Sequence, residues 1–207
     1  MNWRVVLAVL TCSTVLMSAS YTMLIPFLPM YLIQELGVQT SEVNWWSSII
    51  FAVSFLISGI FAPIWGAMSD KGSRKLMALR AASCLAITYF LGSIVQTPWQ
   101  LFGVRVLQGL AAGLWPAQLA ILTSVIPHKK IGFSMGLMQA GLTAGGVLGP
   151  LVGGFLAEVF GMRSTFQIAA VALTTITIAL AVLIKEPPRA KPCLLYTSPS
   201  PRDRTRS

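Results

Sequence analysis

Apolar residues gather into six long runs along the chain, over residues 5–33, 45–68, 76–95, 99–126, 131–160 and 165–184. Short polar turns separate them. A helix of about 20 apolar residues crosses the hydrocarbon core of a bilayer, and each run reaches that length. The pattern predicts an all-α membrane protein with six transmembrane helices. In the first run, Pro26 and Pro29 fall in the second half. Proline removes a backbone donor and obstructs the preceding turn, so the helix either bends there around a cavity or simply ends. Arg4 ahead of an apolar run, followed by Ser18-Ala-Ser20, has the outline of a signal peptide. The run continues far past a signal's 7–15-residue core, which favours a first membrane helix.

Composition agrees with the pattern. Of 207 residues, 55% are hydrophobic and 10% charged, against about 25% charged in soluble domains. The formal net charge of +9 would suggest nucleic acid in a soluble chain. Here the cations sit in short loops and the tail, so the bilayer is the expected partner and nucleic acid is not. Arg4, Lys71, Arg74, Lys75, Arg80, Lys129, Lys130, Lys185, Arg189 and Lys191 fall on one side of the six helices, and Arg163 on the other. Cytoplasmic loops are enriched in Lys and Arg. The expectation is a multi-pass protein of the cell (inner or plasma) membrane with both ends in the cytoplasm. Trp45 and Trp46, beside an acidic turn holding Glu35 and Glu42, suit the opposite interface. The three cysteines lack metal or disulfide spacing. The chain shows no Ser/His/Asp, Cys/His or metal-ligand constellation, so neither an enzyme nor a cofactor is expected.

Arg105 is the one cation well inside an apolar run. Arginine at a helix centre costs about 2.5–3.5 kcal/mol on insertion scales. It should be paired or face a cavity; the alternative is snorkelling to the outer interface, six residues from Trp99. Its polar partners within reach are Gln108, hydroxyls and the carbonyls freed by Pro26 and Pro29, and it is expected to face inward towards the first helix around those prolines. In the fifth run, Gly141, Gly145, Gly149 and Gly153 recur every fourth residue. They share one helix stripe about 18 Å long at 1.5 Å per residue. An offset of 88 carries Gly66, Asp70 and Lys75 onto Gly154, Glu158 and Arg163. An inverted three-plus-three repeat would produce this echo, since the second copy faces the opposite side of the membrane.

Four of these stretches resemble signatures of the major facilitator superfamily. The turn Gly66-Ala-Met-Ser-Asp-Lys-Gly-Ser-Arg-Lys75 resembles the cytoplasmic loop motif Gly-x-Leu-Ala-Asp-Arg-x-Gly-Arg-Lys, with Gly66, Asp70, Arg74 and Lys75 in register. Ser73 stands where the motif has its second glycine. Arg105-Val-Leu-Gln-Gly109 resembles the fourth-helix signature, and Gly145-Gly-Val-Leu-Gly149-Pro-Leu-Val-Gly153-Gly154 the antiporter motif of drug exporters. The segment containing Pro26 and Pro29 is similar to the first-helix proline motif of the same exporters. The resemblance implies the N-terminal six-helix half of a drug:proton antiporter. It implies that Asp70 and Arg74 latch the cytoplasmic side and that Arg105, Gln108 and Gly109 belong to proton coupling. Gly145, Gly149, Pro150, Gly153 and Gly154 would form a bend against the second bundle. A small-molecule substrate, a second six-helix half and a proton gradient would complete the system. An importer of sugars or metabolites would share the loop and arginine motifs. A six-helix scaffold that self-associates is a reading outside the transport class.

After Lys185 the composition changes abruptly. Cys193-Leu-Leu-Tyr-Thr-Ser-Pro-Ser-Pro-Arg-Asp203 resembles the translation of a sequencing-library adapter. The expected division is a bundle over 1–192 and a read-through tail over 193–207 that is no part of the fold.

Overall fold

The computed structural model describes residues 3–184, without the side chains of Asp70 and Lys71. Lys185, Arg189, Lys191 and the tail 193–207 lie outside the described residues. Within these bounds the chain is helical: α1 (Trp3–Met23), α2 (Leu28–Gln34), α3 (Val43–Lys71), α4 (Arg74–Ile94), α5 (Pro98–Leu110), α6 (Leu114–Val125), α7 (Ile131–Phe160) and α8 (Met162–Leu183). The described residues contain six helical spans long and apolar enough to cross a membrane. The first span continues from α1 into α2, and the fourth is α5 followed by α6.

The repeat announced by the loop echo is a repeat of whole elements. A shift of 88 carries the start of α3, Val43, onto the start of α7, Ile131, and Arg74 of α4 onto Met162 of α8. It also superposes two helix breaks. The chain between α1 and α2 leaves the helix at 24–27, and that between α5 and α6 at 111–113. Each triplet therefore begins with a broken helix, and the two triplets run in opposite directions through the bundle.

Local chemistry sets these breaks. Pro26 and Pro29 cannot donate to the carbonyls four residues before them; Ile25 N–H instead makes a tight 3.2 Å bond to Thr22. In the fourth span Gly113 has φ +111°, a left-handed backbone that favours glycine, and Pro116 follows. The turn between α3 and α4 is defined just as locally. Gly72 ends α3, and Ser73 caps α4 by accepting from Leu76 N–H at 3.0 Å. Serine at the motif's second glycine position thus serves as an N-cap.

Packing divides into two cores, one toward each end. Near Glu35, buried Leu28, Tyr31, Trp46, Leu101 and Phe166 pack together. Near the basic loops, Leu10, Ala81, Leu122, Met138 and Leu180 form the other. Trp45 lies exposed, as an interfacial residue should. Trp46 departs from that expectation: it is buried, edge-on to Trp99 with ring centroids 4.9 Å apart. The second span is the least buried of the six, and α3 turns Phe55, Leu56 and Ile60 outward.

Candidate functional site

Arg105 sits inside the bundle with 4% of its surface exposed, so it does not snorkel. Its Nη1 donates to Gln108 Oε1 at 2.9 Å, one helical turn on along α5. The guanidinium carbon lies 5.7 Å from the centroid of the Phe51 ring, within cation–π range. Nη2 is buried and has no partner among the described residues. The surrounding niche is formed by Leu24, Thr88, Tyr89, Leu101 and Phe166. The expected inward orientation towards the first span is present. Of the expected partners, Gln108 takes the hydrogen bond and the carbonyls freed by Pro26 and Pro29 do not. The reason is local, because a side chain at i+3 on the same helix face is always within reach.

Gly109 has a packing role in this geometry. A Cβ there would stand 2.8 Å from both the Ser54 carbonyl oxygen and Ile57 Cβ, so its absence lets α5 close on α3. Across that contact Ser54 Oγ donates to the Arg105 carbonyl at 3.2 Å.

From Gln108 and Gly109 a cleft opens chiefly between the first, second and fourth spans, reached by Ser18, Tyr21, Ser54 and Trp115. A second lies toward the basic loops and is lined by Trp65, Ser69, Arg80, Gly113 and Pro116. Ser58, Ala112 and Gly113 border both, so the break in the fourth span sits where the two clefts meet. The sequence marks this break with Gly113 and Pro116. Reading residues 99–126 as one continuous helix overlooked it, and with it the position of Arg80.

Within this half the glycine stripe packs against α1. Gly141, Gly145, Gly149 and Gly153 are buried against α1, and a Cβ at Gly153 would meet Met23 Cβ at 2.6 Å. At Gly145 and Gly149 it would collide with the α1 backbone at Val15 and Ala19. Small residues allow this approach in the absence of a hydrophobic drive between membrane helices. Pro150 does not break α7, which runs unbroken from Ile131 to Phe160. Gly154 faces Phe27, whose ring carbon lies 3.0 Å from the position of a Cβ there. The motif is therefore seated on the break that contains Pro26, with Pro29 in the first turn of α2.

In the loop motif, Gly66 is on the exposed side of α3, where a Cβ would meet nothing. Asp70 occupies the last turn of α3. Arg74 Nη1 donates to the Ala120 carbonyl at 3.2 Å, and Lys75 Nζ to the Ala181 carbonyl at 2.6 Å. Ala181 lies in the last turn of α8, whose carbonyls lack helical donors; a cation there also complements the helix dipole. At the opposite end Arg163 Nε donates to Glu35 Oε2 at 2.7 Å.

Two inverted triplets of spans, each opening with a broken helix, packed around largely apolar clefts that carry a few polar groups, define the class: an inverted-repeat membrane transport bundle. The chain belongs to the Major Facilitator Superfamily, whose family model matches residues 10–200. Among its relatives, proteins named Multidrug resistance protein MdtG from Proteus mirabilis (strain HI4320) and Klebsiella pneumoniae (strain 342) are each 37% identical over 186 residues. The alignment takes in 89% of this chain but 46% and 45% of those proteins. The chain thus spans about half the length of the curated relatives it matches. In fold it is similar to the human organic anion transporter MFSD10 (TETRAN), with a TM-score of 0.74 and 18% identity over 90% of this chain and 48% of that one. The POT family transporter PepTSo gives 0.77 and 15%, over 91% of this chain and 40% of that one.

Proposed function

We propose that the chain is one half of a proton-coupled exporter of drugs or other small amphipathic compounds, completed by a second six-helix bundle. The basic loops face the cytoplasm of a cell membrane. The carrying observation is the buried Arg105–Gln108 pair, placed beside the first helix break and at the edge of a cleft between three spans. Its Nη2 without a partner makes the guanidinium sensitive to any negative charge brought near by substrate or by a deprotonated acid of the second half. None of the carboxylates in this chain falls within a span's interior, so the proton acceptor is assigned to that second half. Coupling then reads as competition for one cation.

Rocking of the two halves about the cleft supplies alternating access. Asp70 and Arg74 latch the cytoplasmic side, with Arg74 tying the loop to α6 through Ala120. The likeness to proteins named for multidrug resistance supports export, and the glycine–proline motif favours it over metabolite import.

The test is drug accumulation in cells stripped of their own efflux pumps. Expression of the chain with its second half should lower accumulation, and a protonophore should abolish the difference. Residues 1–192 alone should give no energy-dependent efflux. Efflux that persists after the gradient is collapsed would overturn proton coupling.

A further inference from the structure

Arg80 lies in the second turn of α4, within the third span, with no acidic partner among the described residues. Its guanidinium carbon rests 3.5 Å from the centroid of the Trp65 ring, and Nη2 donates to the Ala112 carbonyl at 2.9 Å. Nε is buried with no partner, and the remaining guanidinium N–H groups have no acceptor among the described residues. The residue lines the cleft nearer the basic loops with Ser58, Ser69 and Gly113. Two features of the backbone add positive potential. Arg80 stands near the N-terminus of its own helix, where a cation is disfavoured by the dipole. Gly113, 3.6 Å from Nη2 at the place of a Cβ, opens α6 with no side-chain cap, leaving that helix's first amides directed at the same region. Among the described residues neither cleft has a carboxylate in its lining; Arg80 is the charged group of the one, and Arg105 is paired to Gln108 at the edge of the other.

A stacked, half-desolvated cation without a counter-charge, beside an apolar cleft, is matched by an oxyanion on an apolar body. We propose that Arg80, Trp65 and Gly113 form a binding subsite for the acidic headgroup of an amphipathic molecule, whose apolar part fills the adjoining cleft. The subsite rests on the transport reading for its purpose but not for its chemistry. Trp65 keeps the guanidinium flat against its ring, so the fork can present two N–H groups to a carboxylate or phosphate. Ser58 and Ser69 offer further hydroxyl donors. The same field repels a quaternary ammonium head of equal chain length.

The experiment measures binding of dodecanoate and of dodecyltrimethylammonium to the whole chain in zwitterionic-lipid nanodiscs. A brominated dodecanoate quenches Trp65, and the Trp65→Phe difference isolates that signal among the six tryptophans. Saturable dodecanoate binding is expected, with dodecyltrimethylammonium at least about tenfold weaker. Arg80→Gln should lose about tenfold or more in dodecanoate affinity, as for a lost charge-assisted bond, while Arg80→Lys retains part of it. Unchanged binding of the cationic amphiphile by the Gln variant shows that the fold is intact.

Because Nη2 also holds the Ala112 carbonyl, the comparison is repeated with Pro116→Ala, which returns a helical donor to that carbonyl. Loss of anion affinity in both backgrounds supports the subsite. Phosphatidylglycerol at a few per cent displacing the probe would identify a lipid headgroup as the source of the oxyanion; no displacement points to a transported acid. Equal affinity for both amphiphiles, or an Arg80→Gln variant that binds dodecanoate normally, would overturn the proposal. A protein that binds dodecanoate but moves no drug would remove the export reading and leave the subsite standing.

Discussion

Ser18 Oγ donates to the Leu142 carbonyl oxygen at 2.6 Å, across a seam where α1 and α7 nearly touch backbone to backbone. Glycine makes the bond possible, since Gly145 and Gly149 leave no side chain between the helices. Filling that space forces the helices apart or strains them, and overpacking typically costs about 1–3 kcal/mol. Gly145→Val and Gly149→Val should each lower the unfolding temperature in detergent and broaden size-exclusion profiles. Gly132→Ala and Gly136→Ala, on the same helix with open space around them, should do neither. Equal tolerance at all four positions would mean the seam is not closed in the membrane.

The break in the fourth span makes a sharper claim. Pro116 has no N–H for the Ala112 carbonyl, and Arg80 Nη2 occupies that acceptor at 2.9 Å. Pro116→Ala supplies the missing donor, so the stability effect of Arg80→Gln should shrink in that background. A coupling energy of about 1 kcal/mol is the expected size for neighbours sharing a hydrogen bond. A double-mutant cycle by thermal unfolding measures it, and strict additivity would show that the carbonyl does not depend on Arg80. Gly113→Ala should destabilise in either background, because φ +111° costs an alanine about 1–3 kcal/mol.

Six spans, their order and the buried Arg105 were legible because hydrocarbon imposes length and penalises charge, and both effects are written one residue at a time. The break at 111–113 was less so. Its signals, Gly113 and Pro116, are three residues apart inside an otherwise apolar run, and proline is tolerated in membrane helices when a neighbour satisfies the freed carbonyl. That neighbour, Arg80, is 32 positions earlier, and its cation reads equally well as a loop charge. The glycine stripe was legible as a close-packing face but not as to its partner. Periodicity gives the face of a helix, and only the fold says that α1 lies on it.

The Glu35–Arg163 pair joins the end of α2 to the start of α8 at the acidic end, with 37% of the Arg163 and 33% of the Glu35 side-chain surface accessible. Exposure of that order screens the attraction, and such pairs contribute about 0–1 kcal/mol. Glu35→Gln should therefore shift the unfolding midpoint only slightly, and the wild-type–variant difference should vanish at high salt. The exchanged pair Glu35→Arg with Arg163→Glu should recover wild-type behaviour. A large, salt-insensitive loss in Glu35→Gln would instead make the carboxylate a core element of that end.

Arg105 and Gln108 test the coupling proposal most directly. Gln108 Oε1 accepts at 2.9 Å from a guanidinium that is almost wholly buried. Gln108→Leu fills the volume but leaves the cation without that acceptor, a loss of about 1.5–3 kcal/mol for a bond to a charged group. Gln108→Glu places a counter-charge at the same reach and should be as stable as wild type or more so. Transport should separate the two variants differently. If Arg105 works by receiving a negative charge from substrate or from the second half, a permanent carboxylate at Gln108 satisfies it in advance. The Glu variant should then be stable, inserted and uncoupled, binding drug without proton release. Arg105→Ala should insert, since removing a cation eases membrane placement, and should abolish coupled export. Arg105→Lys keeps the charge but not the planar fork, and should couple weakly. Proton release on drug binding, followed in the completed transporter for all four variants, is the measurement. Full coupling in Arg105→Ala or in Gln108→Glu would reduce the pair to a packing contact and move the coupling device elsewhere.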